Sequence, residues 1–148
     1  MRREYTLMHG KWAVTVWYEA TAIDADEITD DLVRAGCSGK DLYDCKEALW
    51  SNEMNVGLTY VNNNTHMGVV VIGKATNKKE YANTLSHEIG HLTVFLADDA
   101  FIDCHSEAFC YLLGDITQAM WSDAHKIICP SCSRDASGKS RWRKGKLL

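Results

Sequence analysis

The chain has 148 residues, of which 46% are hydrophobic and 24% charged; this suffices for one compact core and excludes a disordered polymer or a collagen-like repeat. No apolar run approaches the roughly 20 residues that cross a bilayer, and a single proline, Pro130, leaves no room for a proline-rich linker. The net charge of −4 is unevenly spread: residues 1–128 hold ten Lys/Arg against nineteen Asp/Glu, residues 129–148 six against one. An acidic body argues against duplex nucleic acid as the main partner and leaves only the basic tail to touch phosphates.

The expected division is therefore one domain over 1–128 and a basic, Cys-containing C-terminal tail over 129–148. The first residues, Met1-Arg2-Arg3-Glu4-Tyr5, lack the apolar stretch and small-residue cleavage site of a signal peptide, so the expected location is cytoplasmic. The six cysteines (Cys37, Cys45, Cys104, Cys110, Cys129, Cys132) then read as buried thiols or metal ligands.

In chain order, Trp12–Tyr18 alternates and is rich in β-branched and aromatic residues, which predicts a strand. Asp24–Ala35 reads as a short helix closed by Gly36. Ser38–Trp50 reads as a second, with Leu42, Cys45, Leu49 and Trp50 at helical spacing and Ser38 placed to cap it. The period then changes. Val56–Val61, the polar turn Asn62–Thr65 and Met67–Gly73 predict a β-hairpin whose second arm is apolar enough for burial on both faces.

Asn77 followed by Glu80 resembles a capping box opening a long helix. Tyr81, Leu85, Ile89, Leu92 and Leu96 form its apolar stripe, and it runs to about Ala97. A loop with Asp98, Asp99, Asp103 and His105 leads to a last helix marked by Phe109, Leu112, Leu113, Ile116 and Met120, with Asp103 or Ser106 as its cap. The pattern predicts an α+β domain with strands first and helices after. No internal repeat is visible.

The chemistry-bearing feature is His87-Glu88-Ile89-Gly90-His91, an H-E-x-x-H motif inside that long helix. Residues four apart share a helix face, so two imidazoles there can grip one Zn²⁺ while Glu88 stands beside the open coordination position. Gly90 in mid-helix costs about 1 kcal/mol relative to alanine, which signals close packing or access to something nearby. Catalytic zinc takes three protein ligands plus water. The extended motif that supplies a third histidine six residues after the second is excluded, because Val94 and Ala97 stand where its glycine and histidine belong. Glu107, at the start of the next helix, is the preferred third ligand; Asp103, His105, Asp98 and Asp99 are alternatives.

His87–His91 followed by Ser106-Glu107-Ala108-Phe109-Cys110-Tyr111-Leu112-Leu113-Gly114-Asp115-Ile116 resembles the short, glutamate-ligand (gluzincin-like) zincin metallopeptidases of phages and mobile elements. Asn55–Tyr60 and Val69–Gly73 share in the likeness, which covers roughly residues 52–121. The resemblance implies a minimal zincin-like fold with a small antiparallel or mixed sheet. It also implies zinc held by His87, His91 and Glu107, with Glu88 as catalytic base. Peptide substrate would then lie along an edge strand beside the zinc helix, for which Met67–Gly73 is the candidate.

The expected reaction is hydrolysis of a peptide bond by metal-activated water, with Tyr111, His105 or His125 as oxyanion donor. His125, Cys129 and Cys132 form an H-x₃-C-x₂-C cluster, a possible second zinc site that needs a fourth ligand. The rival expectation is a zincin-fold binding or regulatory module with a structural metal and a basic tail reaching a protein or nucleic-acid partner.

Overall fold

The computed structural model describes residues 1–51 and 57–129. Its strands are β1 (Arg2–Leu7), β2 (Trp12–Ala20), β3 (Leu58–Asn62) and β4 (Met67–Gly73). Its helices are α1 (Ala25–Arg34), α2 (Gly39–Trp50), α3 (Lys78–Asp99) and α4 (Glu107–Ile128), with a 3₁₀ turn at Ala22–Asp24 leading into α1. The architecture is α+β, built on a small mixed sheet of order β1-β2-β4-β3. β1 and β2 are antiparallel, β2 and β4 parallel, β3 and β4 antiparallel.

Strand alternation sends two sets of side chains to opposite faces. Val14, Val16, Tyr18, Val70 and Ile72 pack against Tyr81, Leu85, Ile89, Leu92 and Leu96 of α3 and Ile116, Met120 and Ala124 of α4. Trp17, Ala20, Val69 and Val71 pack on the other face against Ile28 and Leu32 of α1 and Leu49 of α2. The sheet is thus the middle of three layers. Caps fix the long helices: the Asn77 side chain accepts from the Lys79 and Glu80 amides, each at 3.0 Å, and the Ser106 hydroxyl from the Phe109 amide at 3.2 Å.

The chain runs β-β-α-α twice, and the second pass lies beside the first with β2 and β4 as parallel neighbours. Each pass begins with a hairpin of four loop residues, Met8–Lys11 and Asn63–His66. The helices of the two passes cover opposite faces. Such an arrangement follows an approximate two-fold axis along the strands, although the sequence carries no repeat.

Three expectations need correction. Strands and helices alternate in pairs rather than falling in two blocks, and β1 is an additional strand. β4 is an inner strand, buried along nearly its whole length, so Met67–Gly73 does not form the edge; half-buried β3 does. A strand flanked on both faces by helices and on both sides by strands has to be apolar throughout. Finally, a Cβ built on Gly90 meets nothing within 4 Å, so close packing does not explain that glycine and the space beside it is open.

Polar anchors tie strands to helices. Asp31 of α1 is buried and accepts from Arg2 (2.8 and 3.0 Å), from Trp17 Nε1 (2.9 Å) and from Arg34 (2.8 Å). Burial alone would raise this carboxyl, but the hydrogen bonds from Arg2 and Trp17 outweigh it and hold the pKa below the ordinary carboxylate value. Asp123 of α4 is held low in the same sense: burial opposes, and Lys126, Tyr5 and Arg3 prevail. Tyr5 passes the network on to Tyr18, whose phenol is pushed far up, chiefly by burial.

Candidate functional site

Both motif histidines lie on the exposed face of α3, turned away from the Leu85–Leu96 stripe. Their Nε2 atoms approach to 3.0 Å, with the rings nearly perpendicular at 82°. A hydrogen bond between neutral tautomers gives that separation. So, nearly, does joint ligation: at zinc–nitrogen distances of 2.0–2.1 Å and tetrahedral angles, two imidazole nitrogens stand roughly 3.3–3.4 Å apart. The pair therefore accommodates such an ion by opening a few tenths of an ångström. Phe95, one further turn along, stacks on His91 at 6.5 Å and 24° and leaves an apolar surface exposed beside the pair.

Glu88, between the two on the same helix turn, leans toward β3 instead of solvent. It is 2% exposed, between α3 and the edge strand β3. The Thr59 hydroxyl donates to its Oε2 at 2.6 Å. Gly57, just before β3, lies so near that a Cβ there would stand 2.3 Å from Glu88 Cγ and 2.4 Å from Oε1. Oε2 is thus engaged by the strand, while no described side chain bonds Oε1. Neither Gly57 nor Thr59 was singled out from sequence. The hairpin register held the signal for Thr59: it pairs with Val70, whose side chain is in the α3-facing core.

Glu107 is exposed at the first position of α4, and Tyr111 one turn later is exposed as well. Among the described residues, the three-membered group of ligand atoms lying within 4.8 Å of one another is Asp103, Cys104 and His105, not His87 and His91 with Glu107. The structure therefore brings the two histidines together and leaves Glu107 on the neighbouring helix without closing the triad. The Asp103–His105 group is fully exposed in the α3–α4 loop. Its carboxylate accepts from the His105 amide (3.0 Å), and Nδ1 of that ring lies 3.2 Å from the same oxygen, an arrangement of local turn bonds.

At the far end of α4, His125 Nδ1 donates to the Trp121 carbonyl at 2.6 Å, leaving Nε2 as its ligating nitrogen. Cys129 is half-buried at the helix C-cap, its amide on the His125 carbonyl. Cys132 lies outside the described residues, as do Asn55, Val56 and the basic tail from Pro130 onward. No described helix is long and apolar enough to cross a membrane. Comparison of the chain with protein-family models, with curated proteins and with solved structures finds no match.

Proposed function

We propose that the protein is a zinc-dependent peptidase, with His87 and His91 holding the metal and Glu88 as general base. The observation that carries the reading is the convergence of two exposed imidazole Nε2 atoms at 3.0 Å beside a carboxylate kept buried on the same helix turn. Bound there, a zinc ion supplies an acidified water and a charge that polarises a carbonyl. The chain's own residues do the rest. Thr59 holds Glu88 Oε2, so Oε1 is the atom that takes a proton and returns it to the leaving amine. Glu107, exposed on the first turn of the neighbouring helix α4, is the third ligand in this reading.

The substrate class is a protein or peptide. It would lie along β3, the edge strand whose Thr59 touches Glu88, by adding a strand to the sheet. Phe95, exposed and stacked on His91, favours an apolar side chain next to the scissile bond. The cytoplasm is the proposed compartment.

One observation favours the rival module with a structural metal: Glu88 fastens α3 to β3 and has a packing role whether or not it takes a proton. Glu88→Gln separates the two. The amide keeps an acceptor for Thr59 and the shape that fits Gly57 but no longer accepts a proton. Expected are near-parental thermal stability, one zinc retained per chain, and peptide hydrolysis reduced about 10²–10⁴-fold. Unchanged hydrolysis, or no stoichiometric zinc in a parent chain that loses nothing on His87→Ala, refutes the peptidase.

A further inference from the structure

A surface cavity of about 190 Å³ lies where the end of β2, the β4–α3 connection, the first turn of α3 and the last turn of α4 meet. It shares no lining residue with the H-E-x-x-H motif, whose first histidine lies six residues beyond Tyr81 on α3. Ala75, Ile127 and Ile128 give it an apolar wall. Three polar groups of the lining have no partner among the described residues: the Glu19 carboxylate, the Lys78 ammonium and the Tyr81 hydroxyl. The hydroxyl is the telling one. Tyr81 is 3% exposed, so its O–H has left water without meeting an acceptor, which a folded core ordinarily avoids. Glu19 is unusual too. It sits at the irregularity between Tyr18 and Ala20 in the β2–β4 ladder with φ 52°, a left-handed backbone that non-glycine residues rarely adopt. Thr76 and Asn77, by contrast, are occupied by Glu80 and by the helix cap.

We propose that this cavity binds a small aliphatic α-amino acid as its zwitterion, the carboxylate against Lys78 and the Tyr81 hydroxyl and the ammonium against Glu19. The chemistry selects this class. Glu19 and Lys78 do not pair with each other, so a ligand that satisfies both carries both charges itself. Burial pushes the Tyr81 phenol far up, with Tyr18 and Glu19 adding to the effect, so the group stays protonated and donates. Lys78 and Tyr81 are three residues apart on one face of α3, at the end where the helix dipole favours an anion. The Asn77 cap takes the Lys79 and Glu80 amides and leaves the Lys78 amide, first of the helix, available to the same carboxylate. Size restricts the remainder: about 190 Å³ falls below the roughly 300–1,000 Å³ of sites for drug-sized ligands, which suits one short side chain against Ile127 and Ile128 and not a peptide.

The test is titration of the full chain with L-valine, followed by amide NMR shifts. Expected is saturable binding with a Kd at or below about 1 mM, with the largest shifts in residues 75–81 and 127–128. Isovalerate, which lacks the ammonium, and isobutylamine, which lacks the carboxylate, should each bind at least about tenfold more weakly. Tyr81→Phe keeps the ring in the core and removes the unpartnered hydroxyl, so the free variant should melt at or above the parental temperature while valine affinity falls about tenfold. Glu19→Gln should weaken valine binding and leave that of isovalerate unchanged. The proposal is overturned if valine gives no saturable shift by about tenfold the expected Kd, if either singly charged analogue binds as tightly, or if Tyr81→Phe binds valine like the parent. His87→Ala should also bind valine like the parent, which separates this site from the peptidase reading; loss of binding there would place valine at the motif and overturn the assignment to the cavity.

Discussion

Gly57→Ala is the sharpest test of how Glu88 is seated. The added methyl would stand 2.3 Å from Glu88 Cγ, 2.5 Å from Cδ and 2.4 Å from Oε1, against an ordinary carbon–carbon contact of about 3.5–4.0 Å. An overlap above about 1 Å is too large for small adjustments, so either β3 retreats or Glu88 swings out and loses Thr59. Overpacking costs about 1–3 kcal/mol, and loss of a charge-assisted hydrogen bond about 1.5–3 kcal/mol. Since one route relieves the other, the expected destabilisation is about 2–3 kcal/mol in urea unfolding, with the slope unchanged. Zinc affinity should stay within a few-fold of the parent, because His87 and His91 project to solvent while the added methyl presses on buried Glu88, whereas hydrolysis should fall with the displaced carboxylate. A Gly57→Ala chain as stable and as active as the parent would show that Glu88 is not held against this strand.

Other expectations follow from the same surroundings. Gly114→Ala adds a methyl that meets nothing within 4 Å on an exposed helix and should stabilise by about 0.5–1 kcal/mol in thermal unfolding. Gly90→Ala should stabilise similarly, and a loss of hydrolysis without loss of stability would identify the space beside Gly90 as substrate room. Thr59→Val removes the donor to Glu88 and should cost about 1–2 kcal/mol, while Thr59→Ser should restore most of it. Asp31 and Asp123 have folded pKa values below their unfolded ones, so their stabilisation is complete above about pH 4 and lost as pH falls through the lower folded values. Acid unfolding followed by circular dichroism should begin below pH 4, and Asp31→Asn should flatten that limb.

The elements with strong periodicity were legible: α3 and α4 begin one residue after the caps named from sequence, and β2 and β4 contain the predicted runs. β1 was not, because Arg2, Arg3 and Glu4 conceal a strand that buries Leu7 alone and draws its order from β2. The edge was misassigned for a reason the residues already held: an all-apolar Met67–Gly73 needs cover on both faces and both sides, and half-buried Leu58–Asn62 does not. The helical spacing of His87 and His91 gave their convergence. The inward turn of Glu88 and its contacts with Gly57 and Thr59 depend on where β3 lies across α3, which no local pattern encodes. Glu107 was assigned from its place at the start of α4 and from the resemblance, and neither fixes where a long exposed side chain points.

The two β-β-α-α passes make an internal control for the proposed role of Glu88. In each, the first helix carries a buried carboxylate that grips the outer strand of its own half: Asp31 takes Arg2 of β1, and Glu88 takes Thr59 of β3. Asp31 is saturated, both oxygens accepting from guanidinium groups and Oδ2 from Trp17 as well, so it has no capacity to handle a proton near neutrality. Glu88 meets one neutral hydroxyl at one oxygen, and the turn that carries it also presents two converging imidazoles. Asp31→Ala should therefore cost about 3 kcal/mol, because Arg2 and Trp17 lose a common acceptor, and leave hydrolysis per folded molecule unchanged. Glu88→Gln should do the reverse. If both substitutions lower stability alike and neither touches hydrolysis, the two carboxylates are equivalent fasteners and the asymmetry in their bonding carries no catalytic meaning.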